Sequence, residues 1–133
     1  MILLDTQVCF WWSTNSPRLS PRHRQLIDEA EPDGLAISSF TVWEVAMLSS
    51  RNKVPLHITV DHWLDQLLAI PTLHILPASP KILIESTRLP GEFHKDPADR
   101  IIVATARDIG SPLLTTDRAI LAYSNVRAIG PDA

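Results

Sequence analysis

The chain has 133 residues, of which 45% are hydrophobic, and a formal net charge of −3 at pH 7. This length supplies one hydrophobic core and excludes two independent ones, so we predict a single domain over residues 1–133. The acidic balance argues against nucleic-acid binding through a broad basic surface, because such binding depends on neutralising phosphates. The single cysteine excludes an internal disulfide and a cysteine-based zinc site.

The first predicted element is a short apolar strand at residues 2–4, which ends at Asp5. This start lacks the basic and apolar regions of a signal peptide, and no later apolar stretch is long enough to cross a bilayer, so we expect a cytoplasmic protein without membrane association. In chain order the pattern then predicts a helix at 7–13, a helix at 21–31, a strand at 35–37, helices at 41–52 and 60–68, a strand at 73–75, helices at 79–88 and 97–108, a strand at 113–114, a helix at 117–123 and a strand at 126–129.

Short strands that alternate with helices predict an α/β sandwich around a parallel sheet of four to five strands. Ligands of such sheets bind beyond the carboxyl ends of the strands. Four acids fall at strand ends or in first helical turns, namely Asp5, Glu44, Asp99 and Asp117. If the sheet is parallel, we expect these four side chains to converge at one edge.

Four carboxylates in one place cannot all stay ionised and unpaired, because each negative charge raises the pKa of the others. A hard divalent cation such as Mg²⁺ removes the conflict, since it prefers oxygen ligands. A cation in such a site can polarise a phosphoryl oxygen and activate a water molecule. The acid cluster therefore indicates hydrolysis of phosphodiester bonds.

Three of the four acids also have a structural interpretation, and for Asp99 it is the favourable dipole at the start of its helix. Glu44 could close a capping box with Thr41, and Asp96 and Asp117 could each cap a helix. Asp5 follows a buried strand directly, which gives it little reason to be a cap. The functional hypothesis therefore depends on the four acids together.

Four segments resemble the motifs of PIN-domain nucleases, in particular the VapC-type toxins of type II toxin–antitoxin systems. They are Leu3-Leu4-Asp5-Thr6, the stretch from Ser38 to Ala46, the stretch from Phe93 to Ala106 that contains Asp96-Pro97-Ala98-Asp99-Arg100, and Leu113-Leu114-Thr115-Thr116-Asp117. The resemblance extends from Ile2 to about Ile129, with the motifs in the family's order.

The resemblance implies a PIN-like three-layer sandwich that cleaves RNA with Mg²⁺ or Mn²⁺ as its cofactor. It makes Asp5, Glu44, Asp99 and Asp117 the catalytic set. Asp5 and Asp99 would bind the metal directly, and Asp117 would complete the metal site. In the family, Asp117 and Glu44 would more often act through a water molecule that is bound to the metal. The family also implies a homodimer and a VapB-like antitoxin as partner.

Several alternatives stay open. A phosphatase of the haloacid-dehalogenase type needs a second Asp two residues after the first, where this chain has Gln7. A non-catalytic PIN-like interaction module, or an RNA-processing nuclease without a toxin role, would share the fold. Thr6 and Thr115 could hold a carboxylate or belong to ordinary turns. We expect His94 to be a rim contact, because a single His without a second ligand in helical register is a poor metal site, and we expect Arg100 to be solvated.

Overall fold

The computed structural model describes residues 1–132. Its centre is a five-stranded parallel sheet with the strand order β3-β2-β1-β4-β5. The strands are β1 (Ile2–Leu4), β2 (Leu35–Ser38), β3 (Leu73–Leu76), β4 (Leu113–Leu114) and β5 (Ala128–Ile129). The predicted parallel α/β sheet is therefore confirmed, and the strand that opens the chain lies in its middle.

Helices connect the strands and cover the sheet. They are α1 (Thr6–Ser13), α2 (Pro21–Ala30), α3 (Ser39–Ser50), α4 (Val60–Leu68), α5 (Pro80–Ser86), α6 (Pro97–Ile109) and α7 (Arg118–Ala122), with a 3₁₀ turn at Glu31–Asp33. All predicted elements are present. Two starting points differ by two residues: β5 begins at Ala128 rather than at residue 126, and α3 begins at Ser39 rather than at residue 41. Helix α3 begins earlier because the Ser38 hydroxyl accepts a hydrogen bond from the Phe40 N–H and caps the helix there.

Two hydrophobic cores lie on opposite faces of the sheet, which makes the fold a three-layer sandwich. Alternate residues of β1 serve them: Leu4 belongs to the core that includes residues of α1, α2 and α4, and Leu3 belongs to the core that includes residues of α5, α6 and α7. Both leucines are 0% exposed. This two-sided burial explains why β1 is a continuous apolar run rather than an alternating one.

The topology brings several chain segments to one edge of the sheet. Because β1, β2 and β4 are mutually parallel, their carboxyl ends point the same way. The residues that follow them are Asp5 after β1, Ser39 after β2 and Thr115 after β4. Among residues 1–132, no helix combines the length and apolar character needed to span a bilayer.

Candidate active site

Asp5 is buried at the end of the central strand, with both carboxylate oxygens hydrogen-bonded. Oδ1 accepts from the Thr6 N–H at 2.8 Å and Oδ2 accepts from the Thr115 hydroxyl at 2.6 Å. The side chain also caps α1, so the expectation that Asp5 has little reason to be a cap is wrong. Burial raises the pKa of Asp5, and although the two hydrogen bonds oppose this effect, the net direction is upward.

Thr115 connects two of the acidic segments. Its fully buried hydroxyl donates to Asp5 and also accepts a hydrogen bond from the Asp117 N–H at 3.0 Å. The Asp117 carboxylate in turn caps α7 through Oδ1, as one of its two interpretations predicted. A single threonine therefore fixes the turn that carries Asp117 and the orientation of the Asp5 carboxylate.

Glu44 is held by threonines rather than by a capping box. The Thr6 hydroxyl donates to Glu44 Oε1 at 2.5 Å and lies 3.1 Å from the Thr41 hydroxyl. Because Ser38 caps α3, Thr41 and Glu44 lie inside the helix, and the capping-box interpretation is wrong. Burial is the main cause of the raised pKa of Glu44, and the charge of Asp5 adds to it.

Asp99 lies partly buried among several negative charges. Asp96 caps α6, as predicted, and this places Asp99 in the first turn of that helix. Burial raises the pKa of Asp99 to about 8, and the negative charges of Asp5, Asp117, Asp96 and Glu44 contribute in that order. The other three predicted site residues therefore lie close enough to Asp99 for their charges to raise its pKa.

The structure adds a histidine to this cluster. One ligand atom each of His94, Asp99 and Asp117 lies within 4.8 Å of the others. The expectation that His94 makes a poor metal site considered only ligands in helical register with it, whereas these two neighbours come from α6 and from the turn after β4. Asp5 is not a member of this trio, although its charge is the largest charge effect on Asp99.

Arg100 turns inward instead of lying in solvent. Its Nε donates to the Ser86 carbonyl at 2.7 Å, and its Nη1 donates to the carbonyls of Phe93 and His94 at 3.1 and 3.2 Å. The expectation of a solvated Arg100 is therefore wrong. The guanidinium ties the loop before α6 to the first turn of that helix, beside Asp99.

The residues present fit a divalent cation. The trio offers two hard carboxylate oxygens and one imidazole nitrogen, and the Nε2 atom of His94 is buried without a hydrogen-bond partner among the described residues. Burial and the neighbouring charges raise the pKa values of Asp5 and Asp99, so a cation that neutralises these carboxylates would be favoured. Chemically, such a pocket can neutralise and orient a phosphodiester through a bound metal.

The architecture and the acid cluster define a class of α/β domain with a carboxylate site at the strand ends. The family model of the PIN domain matches residues 2–126, and the chain belongs to the PIN-domain family. This membership excludes the haloacid-dehalogenase alternative. The chain is also 36% identical over 129 residues to Ribonuclease VapC22 from Mycobacterium tuberculosis, an alignment that covers 96% of this chain and 95% of that protein.

Solved structures give the same fold. A toxin–antitoxin complex from Klebsiella pneumoniae contains a chain with a TM-score of 0.69 at 23% identity, covering 99% of this chain and 98% of that one. FitAcB from Neisseria gonorrhoeae gives a TM-score of 0.72 at 21% identity, with 98% of both chains covered. At these identities the similarity establishes the fold alone.

Proposed function

We propose that the chain is a divalent-metal-dependent endoribonuclease, the toxin of a VapBC-type pair, with Asp5, Glu44, Asp99 and Asp117 as its catalytic carboxylates. The observation that carries this proposal is the convergence of these four acids, from distant segments, at the carboxyl edge of the sheet. Burial, together with the charges of the other three acids and of Asp96, raises the pKa of Asp99 to about 8. The similarity to a named ribonuclease over nearly the whole chain supports RNA as the substrate.

Within this proposal Asp5, Asp99 and Asp117 hold the metal, which we take to be Mg²⁺ or Mn²⁺. The cation, when bound, would supply Lewis-acid polarisation of the scissile phosphodiester and activation of water. Thr6 and Thr115 orient the Asp5 carboxylate by donating to both of its oxygens. Preorganised ligands of this kind avoid reorientation during the reaction.

Glu44 has a different task in the proposal. Its Oε1 accepts from the Thr6 hydroxyl, and this leaves Oε2 to orient a water molecule at the edge of the metal site. The backbone N–H of the same threonine donates to Asp5 Oδ1. One residue therefore links the geometry of Glu44 to that of Asp5.

The activity is tested with purified protein, labelled RNA and Mg²⁺ or Mn²⁺. We expect cleavage that EDTA abolishes, and we expect Asp5→Asn or Asp99→Asn to reduce the rate by at least about 100-fold with the far-UV circular dichroism spectrum unchanged. Asp65→Asn, at an exposed position of α4, is the matched control and keeps the activity. Cleavage at the parental rate by both active-site variants would refute the proposed carboxylate mechanism.

The toxin role is tested separately, because a fold and a metal site do not specify a biological role. We expect induced expression of the chain to arrest growth, and co-expression of a VapB-like antitoxin to relieve the arrest. The comparison with a toxin–antitoxin complex supports such a partner. Retained nuclease activity without growth arrest would instead indicate RNA processing.

We further propose that residues 1–133 form a single PIN domain that acts in the cytoplasm as a homodimer. The family match over residues 2–126 supports the first point, since it leaves no room for a second unit in this chain. Light scattering of the purified protein tests the dimer, and a mass of one chain at micromolar concentration would contradict it.

A further inference from the structure

His94 has a buried nitrogen without a conventional partner. Its Nε2 atom is shielded from solvent and lies 3.1 Å from Asp99 Oδ2, but it makes no hydrogen bond among the described residues. A ring nitrogen of His94 and a carboxylate oxygen of Asp117 also lie within 4.8 Å of each other. Buried polar atoms in folded proteins almost always have a partner, and one that does not calls for an explanation such as an ion.

The position of His94 is set by other contacts than the one with Asp99. Nη1 of Arg100 donates to the carbonyls of Phe93 and His94. The His94 ring packs against Phe93 with centroids 4.4 Å apart, and Phe93 packs against Tyr123 at 4.7 Å. The imidazole is therefore held beside the carboxylates by the fold, as a preorganised ligand must be.

Ligation through Nε2 fixes the tautomer of the ring. A neutral imidazole that gives the Nε2 lone pair to a metal carries its proton on Nδ1. The Asp96 N–H approaches Nδ1 at 3.4 Å, which is near the long limit for a hydrogen bond. Metal binding would give up this weak, exposed contact, which water can replace because Asp96 is an exposed residue.

We propose that His94, through Nε2, is a metal ligand together with Asp99 and Asp117, and that this nitrogen makes the site prefer a first-row transition ion such as Mn²⁺ over Mg²⁺. This inference rests on the proposed function and adds a ligand to the same site. Mg²⁺ is satisfied by oxygen ligands and water, whereas an imidazole nitrogen adds affinity for transition ions. Asp5, which completes the proposed metal site, is not one of the three residues whose ligand atoms lie within 4.8 Å of one another, and Thr6 and Thr115 hold its carboxylate in place.

The first test looks for the nitrogen directly. Mn²⁺ is added to the full-length protein, and electron spin-echo envelope modulation is recorded with natural-abundance protein and with protein labelled with ¹⁵N-histidine. We expect a directly coordinated ¹⁴N signal that changes to a ¹⁵N signal on labelling. This measurement needs no substitution and no catalytic activity.

The second test compares affinities by titration calorimetry. His94→Gln should weaken Mn²⁺ binding by about 10-fold or more, and Mg²⁺ binding by less than about 3-fold. His62→Gln, at an exposed position of α4, is the control and should change neither affinity. Circular dichroism of each variant checks that the fold is retained.

The outcomes separate the two proposals. Mn²⁺ binding without histidine coupling, or equal loss of Mn²⁺ and Mg²⁺ affinity in His94→Gln, would overturn the assignment of His94 and leave the carboxylate site intact. Failure of the parent protein to bind either ion would overturn the metal site itself, and with it the proposed function.

Discussion

Replacing Asp99 by Asn should stabilise the metal-free protein while it destroys the metal site. In the folded state burial and four neighbouring acids raise the pKa of Asp99 to about 8, from an ordinary value of 3.8. The folded protein therefore keeps a proton on Asp99 over a pH range in which the unfolded chain has released it. Stability consequently falls as pH rises from about 4 to about 8, because the folded state binds more protons in this interval.

The size of the effect follows from the same two pKa values. At about 1.4 kcal/mol per pH unit, the interval between 3.8 and pH 7 corresponds to an upper limit of about 4 kcal/mol. The Asp99 side chain is only 17% exposed, so solvent screening removes little of this, but local relaxation lowers the realised value. We expect Asp99→Asn to add about 1–4 kcal/mol to the free energy of unfolding at pH 7, or roughly 4–15 °C in Tm.

The assay is thermal and urea unfolding in EDTA, followed by circular dichroism between pH 5 and pH 8. The parent should lose stability relative to Asp99→Asn as the pH rises, and added Mn²⁺ should raise the Tm of the parent much more than that of the variant. Asp65→Asn is the exposed control and should follow the parent. An Asp99→Asn variant that is no more stable than the parent in EDTA at pH 7 would refute the claim that repulsion and burial destabilise this cluster.

Two further predictions concern buried polar groups. Thr115→Val removes the hydroxyl that donates to Asp5 at 2.6 Å, and we expect it to weaken Mn²⁺ binding by about 10-fold in calorimetry. The control is Thr105→Val, because Thr105 is also buried but its hydroxyl bonds to the carbonyl of Ile101 in its own helix. This control should leave the Mn²⁺ affinity unchanged. His23 is fully buried and its pKa is lowered from 6.5 by burial, so its neutral form is stabilised and the folded state loses stability as pH falls below 6.5. The stability advantage of the parent over His23→Gln should therefore shrink between pH 7.5 and 5.5 by up to about 1.4 kcal/mol in urea unfolding, and an advantage that grows over this range would contradict the prediction.

Much of the fold could be predicted because its signals are local. Ser20-Pro21 and Asp96-Pro97 cap the starts of α2 and α6, and Gly110 ends α6 in a left-handed conformation at φ +63°. The boundaries that were wrong depend on side-chain bonds rather than on periodicity. Helix α3 begins two residues before the predicted start because Ser38 caps it through a hydrogen bond that the apolar pattern does not reveal.

Some residues of the candidate site could be predicted from the sequence and others could not. The four acids could be named from the sequence because strand ends and helix starts are readable from neighbouring residues. The inward turn of Arg100 and the approach of His94 to Asp99 could not, since both depend on how the loop before α6 packs on other elements. The polarity of an isolated side chain does not show whether it faces solvent or a buried carbonyl.

The sequence by itself determined which segments are helix and strand, that the sheet is parallel, and which carboxylates stand at its edge, because propensity, capping and apolar periodicity act over a few residues. Only the tertiary structure decided that Thr115 bonds to Asp5, 110 positions away, and that His94 meets Asp117. These contacts join distant parts of the chain. Their distances are set by the packing of the sheet and its helices, and spacing in the sequence carries no measure of them.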